Sequence, residues 1–187
     1  ALQLTTVTNS VAVAAAAALV AVAASVPVAY LAARHDSLAA RVFERATYIG
    51  FAVPGIVLGL ALVFFATGFD GFGLPFVPTI YQTVPLLIFA YVVRFMPQAV
   101  GSIRTSTLQV NPKLVEAART LGETPVRAFR TVTLPLVTPG IVAGGALVFL
   151  TTMKELPATL ILRPTGFETL VTVIWQAQAN AFYQYAV

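Results

Sequence analysis

Lys154 and Glu155 are adjacent charges in an otherwise apolar stretch of the sequence. Charges in such a stretch usually face a bundle interior or a water-filled cavity, because exposure to hydrocarbon is costly. Two roles are therefore open: pairing with another helix, or lining the translocation path of a solute. Successive residues of a helix point about 100° apart, so the two side chains need not pair with each other.

Most enzyme chemistries lack their usual residues here. The chain has no cysteine, one histidine and seven carboxylates, which excludes thiol nucleophiles, cysteine-based metal sites and clustered histidine ligands. The single histidine, His35, stands beside Asp36 in a basic segment and is predicted to be solvated. No GxxxxGK[ST] phosphate loop occurs. We therefore predict that the chain is not an enzyme and holds no metal or cofactor.

A second set of polar residues fills the long segment 101–135, which carries the signals of a helical hairpin. Asn111 can cap a helix that starts at Pro112, and Gly122 follows its end. These signals predict a helix over residues 112–121, with Gly122 at positive φ.

The same start signal recurs at Thr124 and Pro125 and predicts a second short helix that runs to about Thr133 and is closed by Pro135. The first helix of the pair carries an apolar stripe at helical spacing, formed by Leu114, Ala117, Ala118 and Leu121. From this periodicity alone, the hairpin either packs against its own bundle or docks on a partner.

The elements that position these residues are predicted to be membrane helices. Apolar residues make up 58% of the 187 residues and charged residues 10%, whereas a soluble domain has about 45–50% and about 25%. A helix needs about 20 apolar residues to cross a bilayer, and five blocks are long enough. They are residues 7–33, 46–66, 80–100, 136–162 and 169–187.

The first block is too long for a signal peptide and lacks a basic leader. Prolines in or near the other blocks predict kinked helices. Because residue 1 is Ala rather than Met, the chain is either processed or an excerpt of a longer one. We expect an excerpt, with residues 1–187 forming a single transmembrane domain.

Basic residues alternate between the connections. Segments 34–45 and 101–135 are rich in Lys and Arg, whereas 67–79 has none and 163–168 has only one. By the positive-inside rule, the first two segments are cytoplasmic and the other two, together with the N-terminus, lie outside. The net charge of +4 thus marks orientation in the lipid bilayer, and we expect no nucleic acid partner.

The hairpin matches a specific pattern. Glu116-Ala117-Ala118, three residues, Gly122, nine residues, and Val132-Thr133-Leu134-Pro135 closely resemble the EAA loop of binding-protein-dependent ABC importer permeases. Those permeases have Ile where this chain has Val132. The resemblance extends to the layout, since the family core has five spanning helices with this loop between the third and the fourth.

The resemblance implies an all-α, five-helix type I permease (MetI-like) fold in the bacterial inner membrane. It also implies three partners: a cytoplasmic ABC ATPase dimer that binds the ATP, an extracytoplasmic substrate-binding protein, and a second permease domain, either a fused half or another copy. The residues implied to couple to the ATPase are Glu116, Ala117, Ala118, Gly122, Leu134 and Pro135.

Residues 153–170 are similar to the corresponding segment of ferric iron permeases, in the second of their two fused halves. Ferric iron is therefore the expected substrate. Related permeases carry thiamine, polyamines, phosphonates, sulfate or molybdate, and these stay open. Two other functions are less favoured alternatives. An intramembrane enzyme would need paired catalytic groups at one membrane depth, and a proton-coupled carrier would leave the hairpin unexplained.

Three further expectations concern single residues near the ends of spans. Arg94 is predicted to snorkel to the cytoplasmic interface. Trp175, and Tyr183 with Tyr185, are predicted to anchor the two ends of the last span at the membrane interfaces.

Overall fold

The computed structural model describes residues 2–70 and 79–180, and every regular element in these ranges is helical, which confirms the all-α prediction. The helices are α1 (Leu2–Arg34), α2 (Leu38–Ala52), α3 (Gly55–Asp70), α4 (Val84–Gln109), α5 (Pro112–Thr120), α6 (Pro125–Ala128), α7 (Leu134–Met153), α8 (Pro157–Leu162) and α9 (Leu170–Ala179). A π-helical turn, Phe129–Thr133, joins α6 to α7.

Within the described ranges, three helical segments are long and apolar enough to cross a membrane: Leu4–Arg34, Val84–Gln109 and Pro125–Met153. The pair α2 and α3 counts as a fourth if its two helices form one broken span. The predicted fifth span, 169–187, extends beyond the described residues, where Tyr183 and Tyr185 also lie, so it stays a prediction. Trp175 is 43% exposed on α9.

The expected continuous span 46–66 is wrong, because α2 and α3 meet at a break and differ in direction by 105°. Pro54 lies in this break; its ring disfavours a helical residue before it and it has no N–H to donate. The connection predicted at 34–45 is also shorter than expected. Ser37 caps α2 by accepting a hydrogen bond from the Ala40 N–H at 3.1 Å, so the helix starts inside that segment.

The span predicted at 80–100 starts and ends later, as α4. Thr83 caps its start, and at its other end Ile103 and Thr107 are buried. The helix continues past the apolar run because its inner end packs against α1 and α7. The predicted connection 101–135 is correspondingly shorter.

The span predicted at 136–162 is interrupted, because α7 ends at Met153 and α8 begins only at Pro157. The prediction that Pro135 closes the hairpin's second helix is wrong, since Pro125–Met153 is one helical segment. Pro135 has no N–H to donate within an α-helix. The helix continues past it because the preceding turn is π-helical, with the Leu134 N–H bonded to the carbonyl of Phe129.

The core of the bundle lies where α4 packs against both α1 and α7, which also pack against each other. Small residues permit this close approach, as is usual between membrane helices. On α1 these are Ala14, Ala17 and Ala21, all fully buried. On α7, a Cβ placed at Gly144 would lie only 3.0 Å from the Cα of Ala99.

The connections gather at two opposite ends, as the charge pattern predicts. At one end, Asn9 donates to the Glu168 carbonyl at 3.1 Å, and the Leu170 N–H donates to Ser10 Oγ at 2.8 Å. At the other end, Arg34 donates to the Val110 carbonyl at 2.8 Å, beside the start of the hairpin. The expected outer connection 67–79 falls largely on residues 71–78, outside the described ranges.

Candidate functional site

The hairpin forms where its sequence signals place it. Asn111 Oδ1 accepts a hydrogen bond from the Lys113 N–H at 3.0 Å and starts α5. Gly122 ends it with φ at +92°, the left-handed conformation that was predicted. The Gly122 and Glu123 amides bond back to the carbonyls of the last helical turn, each at 3.1 Å. This exit satisfies backbone groups that the helix end leaves free.

The second helix of the hairpin begins as expected, with Thr124 Oγ1 accepting a hydrogen bond from the Arg127 N–H at 3.3 Å. Arg127 in turn forms an ion pair with Glu123 at 2.9 Å. The hairpin is tied to α1 through the ring of Phe129, which meets Tyr30 edge to face at a centroid distance of 5.2 Å. Ala128 and Thr133 are buried beside this contact. The hairpin is therefore joined to the bundle by a packed stem.

The outer face of the hairpin is not covered by the bundle. No residue of α5 is buried, and Leu114 is 48% exposed, Leu121 87% and Val126 69%. The apolar stripe of α5 therefore does not serve to pack the hairpin against its own bundle. Apolar side chains left open on a polar segment are typical of a protein-binding surface.

The residues predicted to couple to an ATPase separate into two groups. Glu116, Ala117 and Gly122 are exposed on the hairpin, where Ala118 is half-buried. Leu134 and Pro135 lie in the first turn of α7, below the hairpin. No basic group in the described part of the chain is within ion-pair distance of Glu116, so its charge is available to a partner.

A second candidate site lies inside the bundle, around Glu155, which is only 8% exposed. Its Oε2 lies 3.4 Å from the Nε of Arg94, a charge contact without hydrogen-bond geometry at that nitrogen. Arg94 Nη1 donates to the Val53 carbonyl at 2.9 Å. Arg94 lies ten residues into α4, roughly 15 Å from its outer end at about 1.5 Å per residue. The prediction that Arg94 snorkels to the interface is therefore wrong.

The carboxylate of Glu155 also stabilises the start of α8. The Oε1 of Glu155 accepts a hydrogen bond from the Ala158 N–H at 3.2 Å. The backbone carbonyl of Glu155 accepts one from the Thr159 hydroxyl. That hydroxyl is 2.6 Å from the hydroxyl of Tyr91 on α4. Lys154, by contrast, is exposed at the end of α7 and does not join this cluster.

Two helix breaks therefore meet at the middle of α4. The break between α2 and α3 supplies the free carbonyl of Val53, and the break between α7 and α8 supplies the free amide of Ala158. Sequence reasoning singled out Glu155 but missed Tyr91 and Thr159 as its neighbours. The available signal was the proline at each break, Pro54 and Pro157, which marks backbone groups that need side-chain partners.

No metal-binding group is formed by the residues that the structure places. Over residues 2–70 and 79–180, no three or more His, Cys, Asp or Glu side chains come together in a way that could hold an ion.

Comparison with known proteins gives a consistent picture. Residues 25–187 match the family described as binding-protein-dependent transport system inner membrane component. The chain is 36% identical over 166 residues to an Fe(3+)-transport system permease protein of Haemophilus influenzae, covering 89% of this chain and 31% of that protein. It is also 36% identical over 176 residues to a probable molybdenum ABC transporter permease protein of Haloferax volcanii, covering 92% and 63%. The chain thus spans between about a third and two thirds of the length of these relatives.

Proposed function

Because this chain belongs to the family of binding-protein-dependent transport system inner membrane components, we propose that it is a permease of an ATP-driven ABC importer. In this proposal it forms part of the translocation path and is itself neither an enzyme nor a cofactor-binding protein. Its partners are a cytoplasmic ATPase dimer, an external substrate-binding protein and a second permease domain.

The observation that carries the proposal is the exposed hairpin. Its apolar residues and the unpaired charge of Glu116 face away from the bundle, while its stem is packed against α1 and continues directly into α7. A rigid element that is open on one face and continuous with a spanning helix on the other transmits movement. Closure of the ATPase dimer would therefore tilt α7 and alternate access between the two sides.

For the substrate we propose ferric iron. The similarity of residues 153–170 to ferric iron permeases supports it, as does the identity to the Haemophilus influenzae protein. Molybdate is the second candidate, because the identity to the Haloferax volcanii protein is the same.

The two charges of the 154–155 pair are assigned different roles. Glu155 is assigned to stabilising the two helix breaks. It pairs with Arg94, which binds the Val53 carbonyl of one break, and it accepts a hydrogen bond from the Ala158 N–H of the other. Lys154 is assigned to the translocation path, because its exposed charge would be costly in hydrocarbon and needs an aqueous face.

The experiment that tests coupling is charge reversal at Glu116. We expect Glu116→Lys to insert normally but to copurify poorly with the ATPase and to lose ATP-dependent uptake, because attraction across the contact becomes repulsion. Glu168→Lys is the matched control for copurification, since Glu168 lies at the opposite end of the bundle and forms no ion pair in the described structure. Normal copurification and uptake in Glu116→Lys would refute the coupling role.

Uptake into proteoliposomes that contain the full transporter and its binding protein distinguishes the substrates. We expect radiolabelled ferric iron to accumulate with ATP and molybdate not to do so. The reverse result would replace the substrate and leave the permease proposal standing.

A further inference from the structure

A cleft of about 400 Å³ opens at the hairpin end of the bundle, between the end of α1, the start of α2 and the inner part of α4. The ionisable residues that line it are Arg34, His35, Asp36, Arg41, Glu44 and Arg104.

The cleft lies at the depth of lipid headgroups. Ser10 of α1 contacts the outer connection, and Arg34 follows 24 residues later, roughly 36 Å along the helix at about 1.5 Å per residue. Arg104 lies 20 residues beyond Val84, the first residue of α4, or roughly 30 Å at the same rise. The hydrocarbon core is about 30 Å thick, so both guanidinium groups reach its inner boundary.

The cleft carries a net positive charge. Two carboxylates are paired, Asp36 with Arg41 at 2.6 Å and Glu44 with Arg104 at 3.1 Å. The third guanidinium, that of Arg34, has no carboxylate partner in the described structure and donates to a backbone carbonyl. Each guanidinium has five N–H donors, and these contacts use only part of them.

Exposed apolar side chains lie on two of the helices that form the cleft. Leu38 is 79% exposed, Val42 55% and Phe43 57%, all on α2, and Leu108 of α4, which lines the cleft, is 53% exposed. A free phosphate would make no use of this apolar surface, whereas the acyl chains of a lipid would cover it.

We propose that this cleft binds the phosphate of an anionic phospholipid from the inner leaflet, with the acyl chains lying along the exposed apolar face of α2. Guanidinium groups recognise phosphate oxygens with paired hydrogen bonds. Basic residues just inside the membrane attract anionic lipids, and basic pockets between helices bind their headgroups. The site is separate from the hairpin surface, so it does not depend on the proposed coupling role.

Native mass spectrometry of the delipidated full-length transporter tests the proposal, with phosphatidylglycerol and phosphatidylcholine of identical acyl chains as probes. We expect tighter binding of phosphatidylglycerol, weakened about fivefold by Arg34→Gln and by Arg104→Gln, since a basic residue near the surface contributes about 1 kcal/mol. Arg130→Gln is the matched control, because Arg130 is exposed at the same end of the bundle but does not line the cleft.

Glu44→Gln provides a variant with the opposite expectation. It frees Arg104 from its carboxylate and should bind phosphatidylglycerol more tightly, a gain that misfolding cannot produce. Equal binding of both lipids, or equal losses in Arg130→Gln and Arg34→Gln, would overturn the proposal. Displacement of the lipid by inorganic phosphate at equal concentration would indicate a soluble anion instead. Loss of ATPase copurification in Arg34→Gln and Arg104→Gln with unchanged lipid binding would indicate a protein interface.

Discussion

Gly122 has a backbone conformation that other residues adopt only at a cost, with φ at +92° and open space where a Cβ would stand. A side chain at this position is therefore disfavoured by the backbone conformation and not by contact with neighbouring atoms. A left-handed conformation costs an L-residue roughly 1–2 kcal/mol, and Asn tolerates it better than a β-branched residue.

We predict that Gly122→Val weakens copurification with the ATPase because the exit of α5 must rearrange, whereas Gly122→Asn retains most of it. Both proteins should insert equally, which membrane fractionation checks. If the two variants copurify equally well with the ATPase, the conformation of this residue is unimportant for docking.

Glu155 and Arg94 form a buried pair, with side chains 8% and 20% exposed. Removing one partner of such a pair leaves an uncompensated charge, which typically costs about 3–5 kcal/mol. We predict that Glu155→Gln lowers the thermal unfolding midpoint strongly, and that adding Arg94→Met recovers part of the loss.

Lys154→Gln is the control for this pair, because the neighbouring Lys154 is exposed and should tolerate the change. The midpoint is measured by thermal unfolding in detergent. Strictly additive effects of Glu155→Gln and Arg94→Met would show that the two residues do not interact.

At the scale of elements, α7 approaches α4 closely enough to exclude a side chain at Gly140. A Cβ there would lie 2.2 Å from Ser106 Oγ and 2.9 Å from the Ser102 carbonyl oxygen. Ser102 Oγ also donates to the Gly140 carbonyl at 3.0 Å, which holds the two helices in register. At Gly145, by contrast, a Cβ would meet only Val22 at 3.4 Å, an ordinary contact.

We predict that Gly140→Ala destabilises the bundle by about 1–3 kcal/mol, as overpacking does, whereas Gly145→Ala is nearly neutral. Unfolding of the two variants in detergent compares them directly. An equal loss of stability at both positions would mean that the close approach of α4 and α7 does not limit packing.

At the scale of the whole molecule, the basic residues are concentrated at one end of the bundle. Eight of the eleven Lys and Arg residues lie at the hairpin end: Arg34, Arg41, Arg45, Arg104, Lys113, Arg119, Arg127 and Arg130. By the positive-inside rule, we predict that this end faces the cytoplasm and that the turn after α8 lies outside.

The absence of cysteine from the sequence makes this orientation testable without background labelling. We predict that Thr165→Cys reacts with an impermeant thiol reagent in intact cells, and that Thr120→Cys reacts only after permeabilisation. Both positions are exposed in the structure. The opposite pattern would reverse the orientation.

Sequence alone determined the features that depend on neighbouring residues. Hydropathy indicated a membrane protein because apolar length is a local property, and the caps at Asn111 and Thr124 and the positive φ of Gly122 followed from local backbone chemistry. These features need no distant partner. The first helix of the hairpin was therefore predicted to within one residue, whereas the predicted end of the second helix was wrong.

Tertiary structure decided what depends on distant residues. Arg94 and Glu155 are 61 positions apart, and only the packing of α4 against the break after α7 brings them within 3.4 Å. The same packing explains why the spans are interrupted where a hydropathy profile is continuous. The break at Pro54 is tolerated because Arg94 on α4 binds the free carbonyl of Val53, and sequence spacing does not identify that partner. At Pro157 the new helix start is stabilised locally by Glu155, and only the charge partner of Glu155, Arg94, is distant in sequence.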